Sequence, residues 1–131
     1  MAGALYERTP RLDGIRISTG NTAIDGTGSL TSIITGVAAP GTRVKPIWVQ
    51  PIATITDGWV AFFIYNGSVN RLFGPPLLFS AYTVVAGTKP PMGKLWIPPQ
   101  DLVLPSTSFI LKACPYNSES FDLFPNGSDF V

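Results

Sequence analysis

The chain has 131 residues, 45% of them apolar and only 13% charged, with nine Lys and Arg against eight Asp and Glu. That length fits one domain, the apolar content argues against disorder, and the charge is about half the ~25% of an average soluble domain. The basic residues are scattered from Arg8 to Lys112 and form no stripe that could track phosphates, and the longest apolar runs fall far short of the ~20 residues of a membrane-spanning helix. A surface so poor in charge is expected to be covered by other protein chains, with no direct nucleic-acid or membrane partner.

The first ten residues lack the basic-then-apolar pattern of a signal peptide, so synthesis in a cytoplasm is expected. Residues 1–29 are expected to be an N-terminal arm, extended or ordered on a neighbour, with a frayed terminus as the alternative: residues 6–11 hold most of the local charge, and 19–29 is a Gly/Thr/Ser/Asn/Asp stretch. A short strand is expected at 15–18. Residues 30–131 read as the folded domain. Thirteen glycines and thirteen prolines leave helices almost no window, and the runs between them are rich in Val, Ile, Thr, Phe, Tyr and Trp, which suit a pleated surface.

The first run, 30–37, ends at Ala38-Ala-Pro-Gly41. The next, 42–50, places Val44 and Trp48 on the face opposite Arg43 and Lys45 and reads as a half-buried strand, and Pro46 puts that strand at a sheet edge or gives it a bulge. Residues 58–65 (GWVAFFIY) are apolar on both faces and predict a central strand covered twice. Asn66-Gly67 predicts a tight hairpin returning through 69–73. Further strands are expected at 77–85, 94–97, 101–104, 108–114 and 119–124, with turns at 105–107 and 115–118. The expectation is an all-β fold, a jelly-roll-like antiparallel sandwich of about eight short strands.

Histidine is absent, which removes the commonest general base and the commonest metal ligand together. Cys114, the only cysteine, excludes an internal disulfide and reads as core packing. No Gly-x-Ser-x-Gly elbow occurs, the eight acids mark no glycosidase pair, and Glu119, Asp122 and Asp129 lack the ligand density of a calcium loop. We therefore expect no catalytic residue, no metal, no cofactor and no small-molecule substrate. Asn66-Gly-Ser68 and Asn126-Gly-Ser128 match the glycosylation pattern, yet both read as turns.

The order Ile34-Thr-Gly36, Gly41-Thr-Arg43, Ala53-Thr-Ile-Thr-Asp-Gly-Trp-Val60, an aromatic strand into an Asn-Gly turn and Arg71-Leu72 resembles small virion proteins encoded among the structural genes of tailed bacteriophages. Leu102-Val-Leu-Pro105, Lys112-Ala113, Phe121-Asp-Leu-Phe124 and Gly127-Ser-Asp-Phe130 extend the likeness over residues 30–131. The proline pairs Pro75-Pro76, Pro90-Pro91 and Pro98-Pro99 depart from it. The resemblance implies a head decoration (cement) protein on the outer surface of the capsid, clustered as a homotrimer and bridging subunits of the major capsid protein. The alternative is a tail, neck or fibre component with a receptor- or glycan-binding role. Interface contacts are expected at Leu5, Tyr6, Arg8 and Arg11 of the arm and at Arg43, Trp48 and Trp96 of the domain.

Overall fold

A computed structural model describes residues 7–10, 14–87 and 92–130 of the chain. Among them are eleven strands and no helix: β1 (Glu7–Pro10), β2 (Ile15–Ile17), β3 (Thr31–Thr35), β4 (Thr42–Pro51), β5 (Gly58–Tyr65), β6 (Asn70–Leu72), β7 (Leu77–Phe79), β8 (Lys94–Trp96), β9 (Leu102–Leu104), β10 (Ile110–Pro115) and β11 (Phe121–Phe130). They fill only eight rows. β1 and β2 lie end to end along β11, β8 and β9 along β4, and β6 and β7 along β5. With rows counted in chain order, sheet A runs 1-8-3-6 and sheet B runs 2-7-4-5, the double Greek key of a jelly roll. The chain thus forms the expected antiparallel sandwich. The described part of the segment expected as an arm supplies row 1 of this same chain's sheet A, so the boundary at 29/30 does not set an arm apart from the sandwich.

Sheet A is creased by its prolines. Between Phe124↔Trp48 and Asn126↔Lys45 the register slips, with Pro46 and Ile47 of β4 facing Pro125 of β11. Neither proline carries an N–H to give to the ladder, so the sequence's choice between edge and bulge resolves as a bulge in a strand paired on both sides. The flanking rows break at the same level: β1 ends at Pro10 and β2 begins at Ile15, while β8 ends at Trp96 and β9 begins at Leu102. The extra residue also reverses the alternation of β4. Thr42 and Val44 point inward before it, and Ile47 and Val49 after it. Trp48 therefore shares the outer face with Arg43 and Lys45, against the strict alternation expected.

β5 spans the length predicted and is covered on both faces. Val60 and Phe62 join the core between the sheets, with Ile47, Leu104, Leu111 and Leu123, while Ala61 and Phe63 form a second cluster with Cys114 outside sheet B. Its cover is the polar connection after β2. Asn21 donates its backbone N–H to Pro115 O (2.9 Å), its side chain donates to Thr27 O and Ser29 O, and Asn70 Nδ2 donates to Gly26 O (3.4 Å). The segment so crosses from the end of β10 to β6, and Leu30 packs beneath it on the second cluster.

The Asn66-Gly67 turn forms as predicted: Gly67 takes φ 94°, and Asn66 Oδ1 accepts from Ser68 N and Val69 N at 3.0 Å each. Asn126-Gly127 is not a turn. It lies inside β11, where a Cβ on Gly127 would come within 2.4 Å of Arg43 O, so the glycine serves a close approach of two strands. β7 stops at Phe79 instead of reaching 85, because the backbone donors that would continue it go elsewhere. Ala81 N–H is taken by Asp57 Oδ1 (2.7 Å) and Val84 N–H by Thr54 Oγ1 (3.0 Å).

Candidate interaction surface

The outer face of sheet A carries an apolar row at right angles to its strands. Phe124 of β11 stands directly across from Trp48 of β4, and Trp48 directly across from Leu95 of β8. Side chains opposite one another on one face of a sheet touch or nearly touch, yet these three are 46%, 42% and 46% exposed. Ile97, just past β8, adds a further exposed side chain at 64%. The Trp48 ring is held in place: its Nε1–H donates to Gln50 Oε1 (3.2 Å), and it lies so close over Gly93 that a Cβ there would come within 2.6 Å of Cε2 and Cζ2.

Paired charges rim the row. Arg16 of β2 grips Asp122 of β11 with two hydrogen bonds, Nε to Oδ1 at 2.8 Å and Nη2 to Oδ2 at 3.2 Å. These bonds hold the Asp122 carboxyl below its ordinary pKa and raise that of Arg16. Beyond the crease, Arg43 reaches Asp101 Oδ1 at 2.6 Å and stacks over the Phe130 ring at 5.4 Å. An apolar centre with a neutralised polar rim is the anatomy of a protein-docking surface.

Of the residues expected at an interface, Trp48 and Arg43 lie on this face. Trp96 does not: only 3% exposed, it stacks on Phe62 with ring centroids 4.0 Å apart and belongs to the core. It follows Leu95 by one residue, so the pleat turns it to the opposite side. Leu5, Tyr6 and Arg11 lie outside the described residues, and Arg8 is placed by its backbone in β1. Phe124 and Leu95 were missed, and the signal that could have found them was the proline pair Pro46 and Pro125, which sets the phase of both long strands.

The acidic residues of the last strand and the turn before it are dispersed. Glu119 Oε2 accepts from Thr56 N and Oγ1, Asp122 pairs with Arg16, and Asp129 accepts from buried Thr42. No group of three or more His, Cys, Asp and Glu among the described residues could hold a metal ion. Burial raises the Cys114 thiol to about 11, which keeps it protonated and unreactive. No protein-family model, curated protein or solved structure matches the chain.

Proposed function

We propose that the protein is a non-enzymatic virion component, a head decoration (cement) protein of a tailed bacteriophage that docks through the outer face of sheet A. The observation that carries this reading is the exposed row Phe124–Trp48–Leu95 inside its rim of paired charges. The low charge of the chain and its resemblance to phage virion proteins support it, and so, by fold-level analogy, does the jelly roll, an architecture common in capsid proteins. Copies cluster as trimers on the outside of the major capsid protein and bridge its subunits. Their effect is mass action: a ligand that binds the assembled shell and not its free subunits stabilises the shell by its own binding free energy.

The test adds purified protein to shells lacking it. Saturable binding and a higher shell disruption temperature are expected, with both lost in Trp48→Asp and Phe124→Asp. Shells that bind nothing, or that bind both variants as well as the parent, overturn the reading.

A further inference from the structure

A second surface lies at the end of the sandwich where the connections after β2, β4, β7 and β10 meet. These connections are braced to one another. Ile55 and Tyr82 exchange two backbone hydrogen bonds of 2.9 Å, Asn117 Nδ2 donates to Thr56 Oγ1 and Asp57 O, and Gly20 N donates to Ser118 Oγ. Between them opens a groove of about 540 Å³ whose walls include Asp57, Trp59, Leu78, Ser80, Lys94 and Tyr116, a volume within the ~300–1,000 Å³ of small-ligand sites.

Its floor is apolar and ring-shaped. Trp59 and Leu78 are direct cross-strand partners and share one face of sheet B, and Leu78 is left 65% exposed. The Tyr116 ring, 39% exposed, stands 5.1 Å from that of Trp59 at 59°, so the two rings form an angled cradle. The polar groups of its walls are only partly used. Asp57 spends Oδ1 on Ala81 N–H, which leaves Oδ2 as an open acceptor. Lys94 donates one proton to Leu78 O (2.5 Å) and is steadied 5.4 Å over the Phe79 ring, so two donors remain. Ser80 adds an exposed hydroxyl.

We propose that this groove binds a pyranose ring of a neutral glycan, with the sugar's C–H face on Tyr116 and Trp59 and its hydroxyls shared between Asp57 and Lys94. The chemistry selects this class over others. One carboxylate and one ammonium cancel, so neither a phosphate nor a cationic group is favoured, whereas a purely apolar ligand would bury Asp57 Oδ2 and the remaining Lys94 donors without partners. A sugar ring has an apolar face together with adjacent hydroxyls, each able to donate to the carboxylate and accept from the ammonium. The braced walls provide the preorganisation that a weak, hydroxyl-reading site requires. The inference does not depend on the shell reading, because the groove and the outer face of sheet A share none of the residues invoked.

The experiment titrates the full chain, isotope-labelled, with glucose, galactose, mannose and N-acetylglucosamine, with sialic acid and inorganic phosphate as charged controls and an extended neutral peptide as a macromolecular one. At least one neutral sugar is expected to saturate with a Kd on the order of 1 mM, shifting amide signals of residues 57–59, 78–80 and 116. Tyr116→Ala and Asp57→Asn should each weaken it about tenfold or more. Asp57→Asn keeps an acceptor for Ala81 N–H and so preserves the loop, and circular dichroism confirms that both variants fold. Trp48→Asp should leave sugar binding unchanged while removing shell binding. The proposal is overturned if no neutral sugar saturates, if only the charged controls or the peptide bind, or if the two groove variants bind as the parent does.

Discussion

Sheet B leaves Leu78 open at one end of its outer face, but across their middles the outer faces of the two sheets, built from similar strands, end in opposite states. Outside sheet B, Ala61, Phe63 and Cys114 are sealed by residues of the same chain, with Asn21 tied to Pro115 and Gly26 to Asn70. Outside sheet A, Phe124, Trp48 and Leu95 stand in the open. The difference begins in the strands. β5 carries apolar residues at every position from Trp59 to Tyr65 and so needs cover on both faces, whereas β4 and β11 alternate and put most of their apolar side chains inward. An apolar outer face that the chain covers belongs to its stability. One that it leaves bare, braced and rimmed with paired charge, is free to serve association.

Substitutions can break this contrast, and the largest effect is expected on the sealed side. Phe63→Ala should cost about 3–5 kcal/mol in urea unfolding, the usual loss for a fully buried aromatic. Next comes the cover itself. Asn21→Ala removes the side-chain bonds to Thr27 O, Ser29 O and Ala23 N and should cost about 1–2 kcal/mol, and Cys114, inert in the parent, should then react faster with a thiol reagent. On the bare side, Phe124→Ala should lower stability by only about 0.5–1 kcal/mol, while abolishing association with shells. A stability loss there as large as that of Phe63→Ala would erase the distinction between the faces.

The smallest effect belongs to the Arg16–Asp122 pair. Its hydrogen bonds lower the Asp122 pKa in the folded state, so the stabilisation is present above the ordinary Asp value of about 3.9 and is lost as pH falls through the depressed one. Both partners are solvent-accessible, which keeps the contribution slight. Urea midpoints measured from neutral to acid pH should fall slightly more steeply in the parent than in Asp122→Asn, and identical profiles would show that the rim pair does nothing for the fold.

Much of this contrast was legible beforehand. The doubly apolar run 58–65 announced a strand needing two covers, Asn66-Gly67 announced its hairpin, and the density of Gly and Pro removed helix. Cys114 was readable as core from its apolar neighbours. The cover was not readable, because residues 19–29 hold sheet B through backbone bonds and one asparagine, which leave no apolar periodicity to detect. The candidate row was half visible: Trp48 was singled out, but on the wrong side of its strand, and Trp96 was taken for surface when a one-residue step in the pleat buries it.

The sequence alone determined the class of fold and most of the places where the chain turns, Asn126-Gly127 excepted, because strand preference, proline's missing N–H and glycine's freedom at positive φ are local properties. The tertiary structure alone decided which side chains face outward. That depends on where one extra residue slips the β4–β11 ladder and on which segment crosses which sheet, and both are set by partners distant in the chain.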